Sequence, residues 1–314
     1  GGEIVLPIRS PATSTSSEKK EKAPTQSLLT QLSQRDDLKP LWMFIETLKT
    51  TTIKGGHNLF SCNVSGSKVA LKGMDYPAAS QESRMNFIKA IHFIQQVRSP
   101  YVTRLTGVCL MNFQTRLCVV SEYMDKGCLG AIATDANIEI SEENKYKICH
   151  GMASGIAYLH PKRAYGHLTN EKVLINSEFD AKLNVFELMK KYYLESRYVT
   201  SSFGSFEVVY QAPELRKVSG AQYSIATDIY ALGVLMAEIF VRERPYKKLY
   251  EEKGFLGGDV YLYEHPTIQP FVLDSRIPEG IRELIEQCWH ENPSNRPNVS
   301  QIVDQLAKNV PSSA

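Results

Sequence analysis

The sequence has few of the features that mark a metal-binding, secreted or membrane-spanning protein. Its six cysteines are scattered, with no Cys-x-x-Cys pair and no cluster with histidine, which argues against a zinc site and a disulfide framework. The longest apolar run, residues 230–240, is about half of the ~20 residues that a bilayer requires, and it contains Glu238. No signal peptide is recognisable. We therefore expect a cytoplasmic protein with buried, reduced thiols and no transmembrane segment.

An excess of charge of either sign is also missing. Lysine and arginine number 36 against 34 acidic residues, which gives a formal net charge of +2 over 314 residues. This balance excludes an overall basic nucleic-acid-binding protein and a highly charged disordered chain. A hydrophobic fraction of 43% is ordinary for a folded protein, and the length suits one large domain of two lobes or two small domains.

Composition divides the chain near residue 40. Residues 7–27 are rich in Ser, Thr, Pro, Lys and Glu, so they cannot bury enough surface to offset the entropy of ordering. Leu28, Leu29 and Leu32 follow at helical spacing. We predict a flexible N-terminal tail over residues 1–40 that includes a short helix, followed by one folded domain over residues 41–310.

Strands come first along this domain and helices later. The first predicted elements are strands at 58–64 and 68–72, a helix at 81–97, and strands at 102–109 and 116–121. The later helices are predicted at 142–160, 224–241, 280–289 and 299–308. Residues 254–270 resemble an inserted surface loop. The order predicts an α+β fold with a β-rich N-lobe, about 41–121, and a helical C-lobe, about 125–310.

Five short motifs, in this order and spacing, resemble those of a protein kinase domain. They are Val-Ala-Leu-Lys at 69–72, Val-Ser-Glu-Tyr-Met at 120–124, Ala-Pro-Glu at 212–214, Asp-Ile-Tyr-Ala-Leu-Gly at 228–233 and Cys-Trp-His-Glu-Asn-Pro-Ser-Asn-Arg-Pro at 288–297. The first resembles the strand with the nucleotide-binding lysine and the second the hinge between the lobes. Over residues 45–308 the sequence is similar to the tyrosine-kinase and tyrosine-kinase-like groups.

The resemblance implies a catalytic machinery that this sequence does not supply. His167 stands where kinases have the catalytic Asp, and Lys172 where they have the Asn that binds the second metal ion. An ammonium group has only donors and cannot coordinate Mg²⁺. Val185 replaces the Asp of Asp-Phe-Gly, and Ala90 replaces the glutamate partner of the nucleotide-binding lysine. We therefore predict no catalytic residue and no metal site.

A nucleotide pocket is implied only in part. Lys72 would face the phosphates, and Gly55 is the one glycine in register in the phosphate loop. The other predicted contacts, which would enclose the adenine ring or lie at the hinge, are Phe60, Ala70, Leu174, Ser121, Glu122 and Met124. No cofactor is certain from this pattern. We expect any ATP binding to be weak and independent of a divalent cation.

The same resemblance implies several features that stabilise the fold. Asp228 is expected to hold the backbone of the catalytic loop, and Glu214 is expected to pair with Arg296. The apolar spine that joins the lobes is predicted at Ile94, Leu105, Tyr165 and Phe186.

Retained architecture with lost chemistry resembles the pseudokinases of the tyrosine-kinase-like group. Residues 185–188, Val-Phe-Glu-Leu, are similar to the Gly-Phe-Glu-Leu of the mixed lineage kinase domain-like pseudokinases. This implies an inactive signalling scaffold or conformational switch with protein partners (a kinase, a scaffold or a neighbouring domain), regulated by nucleotide or by phosphorylation of the activation segment, 185–214. The alternative is a divergent phosphotransferase with a noncanonical active site that uses Lys72 and His167.

Overall fold

The computed structural model, which describes residues 27–43, 51–53, 59–111, 115–193 and 207–311, separates a β-rich lobe from a helical lobe. The strands are β1 Thr51–Thr52, β2 Leu59–Val64, β3 Ser67–Asp75, β4 Leu105–Met111, β5 Arg116–Glu122, β6 Gly127–Cys128, β7 Val173–Ile175 and β8 Ala181–Leu183. The helices are α1 Leu28–Ser33, α2 Gln81–Gln95, α3 Leu129–Ile132, α4 Glu142–Leu159, α5 Val185–Tyr193, α6 Pro213–Lys217, α7 Ile225–Val241, α8 Lys247–Glu264, α9 Glu279–Cys288 and α10 Val299–Ala307. This order confirms the predicted α+β fold with a β-rich N-lobe and a helical C-lobe.

The N-lobe contains one antiparallel sheet with the strand order β1-β2-β3-β5-β4. Ser65 and Gly66 connect β2 to β3 and both have positive φ, 49° and 81°. A two-residue hairpin turn needs positive φ at both positions to match the twist of its strands, and glycine adopts this conformation without steric cost. The turn joins the two strands predicted at 58–64 and 68–72 into a hairpin.

Strand register decides which side chains of this sheet face the interlobe cleft. Ala70 lies directly opposite Ser121, whereas Leu71 lies opposite Phe60 and Val120. Leu71 and Val120 belong to a small cluster on the outer face, together with three buried cysteines. Because successive side chains of a strand point to opposite faces, Ala70 and Ser121 lie on the other, inner face.

Helix α2 covers the inner face of the N-lobe sheet. The hydroxyl of Ser80 accepts a hydrogen bond from the backbone N–H of Ser83 at 3.1 Å and caps the first turn. The buried residues of α2 recur at helical spacing and are Phe87, Ile88, Ala90, Ile91 and Ile94. This face turns toward the core, which it shares with residues of helix α5.

The ordered domain begins before the predicted boundary at residue 41. Leu32 and Leu38 are buried in the main core, and the backbone N–H of Met43 donates to the carbonyl of Val108 at 2.8 Å. The prediction of a flexible tail is therefore wrong for residues 27–40, because isolated leucines between polar residues bury fully against the N-lobe. The short helix predicted within that region is present as α1, and residues 1–26 lie outside the described residues.

The C-lobe is built around α7, which is buried along nearly its whole length. Ser224 and Thr227 form a reciprocal capping box at its N-terminus, which satisfies backbone donors that have no partner inside the helix.

The prediction of a surface loop at 254–270 is wrong over its first part, because α8 continues to Glu264 across a break at Gly254. Within the described ranges, no helix combines the length and hydropathy needed to cross a membrane.

A second sheet, β6-β7-β8, lies at the start of the C-lobe, below the hinge. Leu183 on β8 exchanges backbone hydrogen bonds with the segment after α2: its N–H donates to the carbonyl of Tyr101 and its carbonyl accepts from Thr103, both at 2.9 Å. These bonds tie the end of β8 to the N-lobe. They fix the position of Val185, which follows two residues later and is the first residue of α5.

Candidate active site

The backbone of the catalytic loop is held by one buried carboxylate. Asp228 accepts hydrogen bonds from the N–H groups of Tyr165 at 2.6 Å and Gly166 at 2.8 Å. Its Oδ2 also lies 2.8 Å from Nε2 of His160. Hydrogen bonds to an ionised acceptor are stronger than neutral ones, and a buried carboxylate needs them to offset its lost hydration. The predicted role of Asp228 is confirmed.

His167 follows this anchored turn with a positive φ of 46°. Its ring centroid lies 4.1 Å from that of Tyr223, at an angle of 44°. The cavity beside it has a volume of about 10 Å³ and is bordered by Glu207, Tyr210 and Gln211 as well as the catalytic loop. That volume holds about one water molecule. A general base must reach the proton that it abstracts, and the side chain of His167 is only half-buried.

Lys172 and Glu187 form an ion pair at the centre of the site. Nζ of Lys172 lies 3.7 Å from Oε2 of Glu187, and the two side chains are only 20% and 16% exposed. The backbone extends the link, because Asn184 donates its N–H to the carbonyl of Lys172 at 3.3 Å and its carbonyl accepts from Glu187 at 3.1 Å. The pair thus joins the end of the catalytic loop to the first turn of α5.

Val185 is held by its backbone and offers no side-chain ligand. Its side chain is buried, and its N–H donates to Oγ1 of Thr103 at 2.9 Å. The carboxamide oxygen of Asn184 accepts from the N–H of Phe186 at 3.0 Å. Within the part of the chain that the structure describes, no group of three or more His, Cys, Asp or Glu side chains could hold a metal ion.

Ala90 lies in the middle of the buried face of α2, fully buried. Leu188 and Met189 of α5 are also fully buried, in the core that α2 and α5 share. Lys72 lies opposite Leu59 and Val119 in the sheet, on the same face as Ala70. The methyl group of Ala90 cannot form the ion pair that fixes this lysine in active kinases.

The predicted adenine contacts are placed on several elements. Ser121 is buried at the end of β5, directly opposite Ala70, and its hydroxyl donates to the carbonyl of Glu122 at 3.2 Å. Met124 is buried at the end of the hinge, and Leu174 is half-buried on β7. Gly55 lies outside the described residues. Nucleotide contact by these residues stays a prediction.

The predicted position of Phe60 beside the adenine ring is wrong. Phe60 pairs with Leu71, packs against the outer cluster and lies 5.4 Å from the guanidinium of Arg116. Leu59, which lies opposite Lys72, faces the cleft instead. A one-residue error in register moves a strand side chain to the other face, and counting the pairs back from Lys72 across the hairpin would have identified Leu59.

The side chain of Glu122 connects the hinge to the C-lobe. Its Oε1 accepts from the N–H of Arg104 at 2.8 Å and from Nζ of Lys182 at 2.9 Å. Sequence reasoning did not single out Lys182, although its place in the short apolar strand β8 marks an alternating polar position. The N–H of Glu122 donates to the carbonyl of Arg104 at 3.0 Å. Only the carbonyl of Glu122, which already accepts from the Ser121 hydroxyl, has acceptor capacity left for a hinge contact with adenine.

The predicted pair and spine of the core are confirmed. Both guanidinium Nη atoms of Arg296 donate to Glu214, at 2.6 and 2.9 Å, in the bidentate geometry that arginine favours with carboxylates. The spine residues lie in one continuous core, and they are Ile94, Leu105, Tyr165 and Phe186. Burial is also the main reason that the pKa of the Tyr165 hydroxyl lies well above its usual value.

A buried carboxyl group beside the catalytic loop was not identified from the sequence. Glu238 on α7 accepts from the hydroxyl of Tyr210 at 2.8 Å and from Nδ2 of Asn170 at 2.9 Å. Burial raises the pKa of Glu238 to about 7, although both hydrogen bonds and the charge of Arg244 act to lower it. The only sequence signal was a glutamate within an otherwise apolar helix.

Comparison with known proteins agrees with this architecture. Residues 37–306 match the family described as protein tyrosine and serine/threonine kinase. The match covers most of the chain, so the chain belongs to this family of protein kinase domains.

Similar proteins include kinases of both specificities. A probable serine/threonine-protein kinase of Dictyostelium discoideum is 28% identical over 251 residues, which is 77% of this chain and 22% of that protein. The tyrosine-protein kinase TXK of Homo sapiens is 27% identical over 239 residues, 75% of this chain and 42% of that protein. The seven transmembrane domain-containing tyrosine-protein kinase 1 of Dictyostelium discoideum is 31% identical over 233 residues, 72% and 32% respectively. The chain thus spans less than half the length of each of these relatives.

Proposed function

We propose that this protein is a pseudokinase, a kinase-fold domain that acts by binding and conformational change instead of phosphoryl transfer. The ion pair of Lys172 and Glu187 carries the proposal. An ammonium group occupies a position where active kinases hold a metal ion, and a carboxylate from the next element balances its charge. A divalent cation at this place would have to displace the ammonium group of Lys172 from Glu187.

The chemistry of phosphoryl transfer supports the same conclusion. Catalysis in kinases depends almost entirely on positioning and on metal ions that stabilise the charge of the transferred group. Val185 has no oxygen on its side chain, and Ala90 has no charge with which to fix Lys72. The similar proteins are named as kinases, so family membership supports the fold and a nucleotide-binding cleft. The loss of phosphoryl transfer is our inference from Val185 and Ala90.

Nucleotide binding without a divalent cation follows from the same arrangement. Lys72 is the cationic group predicted to face the phosphates, whereas Glu187 already balances the charge of Lys172. We infer that ATP binds weakly as a regulatory ligand and that the output is a protein–protein interaction. The similarity of residues 185–188 to the mixed lineage kinase domain-like pseudokinases remains a prediction.

Calorimetry of ATP binding, in EDTA and in Mg²⁺, tests the proposal. We expect the same weak affinity in both buffers and a loss of at least about tenfold in Lys72→Ala, because one charge-assisted contact to phosphate is worth on the order of 1.4 kcal/mol or more. Lys248→Ala is the matched control, because Lys248 is 89% exposed on α8.

A phosphotransfer assay with labelled ATP and a generic protein substrate completes the test. No incorporation above background is expected. Tight binding that requires Mg²⁺, together with incorporation that His167→Ala abolishes, would instead establish the divergent phosphotransferase.

A further inference from the structure

A large cavity lies behind the hinge, on the side where α2 ends and β4 begins. Its volume is about 680 Å³, which falls in the range of small-molecule sites. Leu41 closes it from the N-terminal segment, and Ile94, Val102 and Leu105 form its apolar wall. The cavity is therefore bordered by the N-terminal segment, by the connection from α2 to β4 and, through Lys182, by β8 of the C-lobe.

This cavity is separate from the nucleotide cleft. Among the residues predicted to contact nucleotide, only Glu122 borders the cavity. Ala70 and Lys72 are on β3, which is separated from β4 by β5 in the sheet. A ligand bound here would leave the predicted phosphate and adenine positions unoccupied.

The rim of the cavity carries an excess of positive charge. Arg98, Arg104 and Lys182 border it against a single carboxylate, Glu122. That carboxylate already accepts from Lys182 and from the backbone of Arg104. The guanidinium of Arg98 donates to the carbonyls of Gln95 and Val97 through one nitrogen. In the described part of the chain, no carboxylate therefore balances the two arginine side chains.

We propose that the cavity behind the hinge binds an amphiphilic anion of drug size, with its apolar body against Ile94 and Leu105 and its acidic group at Arg98 and Arg104. Guanidinium groups stay charged at all physiological pH values and match the planar geometry of carboxylate, sulfonate and phosphate groups. Contact with the apolar wall removes the ligand's own hydrocarbon from water. The rim selects for the negative charge.

An occupant of this cavity would contact residues that join the two lobes. Ile94 and Leu105 belong to the apolar spine, and Thr103, which accepts from the backbone of Val185, also borders the cavity. A ligand that binds only the folded arrangement stabilises it by mass action, so binding raises the midpoint of thermal unfolding.

Titration with 8-anilinonaphthalene-1-sulfonate, a fluorescent aromatic sulfonate, tests the proposal on the full chain. We expect saturable one-to-one binding that weakens at least tenfold in the double variant Arg98→Gln/Arg104→Gln. Gln95→Trp, which places a large ring at the cavity mouth, should weaken binding to a similar degree. Lys72→Ala and a saturating concentration of ATP should leave the affinity unchanged.

Control measurements keep the result interpretable. Far-UV circular dichroism must show that each variant unfolds cooperatively, because a loosened core also binds this dye. Affinity for the sulfonate should fall as KCl rises, since the contact with the arginines is electrostatic. Competition with ATP, or equal affinity in the wild type and both rim and mouth variants, would place the dye elsewhere and overturn the proposal.

Discussion

Lys172 and Glu187 face one another across 3.7 Å, between the end of the catalytic loop and the first turn of α5. The contact gives α5 a fixed electrostatic anchor at its N-terminal end, where a carboxylate is also favoured by the helix dipole. Because α5 packs on α2, the pair stabilises an arrangement in which the segment after β8 is helical instead of open. The ion pair therefore helps to hold α5 against α2.

A double-mutant cycle measures how much this pair contributes. Lys172→Met and Glu187→Gln should each lower the free energy of unfolding, and the double variant should lose less than the sum of the two. Both partners are mostly shielded from solvent, so we expect a coupling energy of about 1 kcal/mol, at the upper end for partly exposed pairs. Urea unfolding of the four proteins gives the value. Strict additivity would mean that the two charges stabilise α5 independently.

Asp228 should be far more costly to neutralise than an average surface acid. Asp228→Asn retains one acceptor but introduces an amide donor toward the N–H groups of Tyr165 and Gly166, so a loss of about 2–4 kcal/mol is expected. Asp304→Asn, an exposed position on α10, serves as the matched control and should change stability by less than about 0.5 kcal/mol. Urea unfolding at neutral pH compares the two. Equal, small effects would show that the loop keeps its conformation without this anchor.

The pH dependence of stability should report on Glu238. Its pKa is raised by burial to about 7 in the folded protein, from about 4.5 when exposed. The folded state therefore holds the proton more tightly, and the stability this provides is complete below about pH 4.5 and is lost as pH rises to 7. The loss from this one group is roughly 3 kcal/mol.

Glu238→Gln removes the titration and keeps the shape of the side chain. The difference in unfolding free energy between wild type and this variant should therefore shift across the window from pH 4.5 to 7, in the direction that disfavours the wild type as pH rises. Chemical unfolding at four pH values within the window measures it. A difference that stays constant with pH would mean that Glu238 has the same pKa in the folded and unfolded states.

The spacing of apolar residues along the sequence predicted the strands and helices that nearby residues determine. The strands predicted at 58–64 and 68–72 and the helix predicted at 224–241 correspond to β2, β3 and α7. The turn between the strands and the cap of the helix each lie within a few residues of sequence. The motifs placed Asp228 and Arg296 correctly, because their partners occupy fixed positions in the family's fold.

Strand register and close packing explain the errors. Phe60 was assigned to the cleft because the register of β2 against β3, which pairs Leu59 with Lys72, was not counted across the hairpin. Glycines at 254, 257 and 258 predicted a loop, yet the ring of Tyr250 packs where a side chain at Gly258 would lie. Only glycine, which has no Cβ, allows this close approach of the Tyr250 ring.

The N-terminal segment provides the sharpest test of where the domain begins. Leu38 is fully buried in the main core, although composition had assigned it to a flexible tail. Leu38→Ala should lower the free energy of unfolding by about 2–5 kcal/mol, as large-to-small substitutions do in well-packed cores. Lys39→Ala, at the exposed neighbouring position, should have an effect below about 0.5 kcal/mol. Asp37, one residue earlier, lies 3.2 Å from His92 on α2, so a displaced segment would also release α2. If Leu38→Ala unfolded at the same urea concentration as the wild type, residues 27–40 would be an appendage and the domain would begin near residue 41, as the composition indicated.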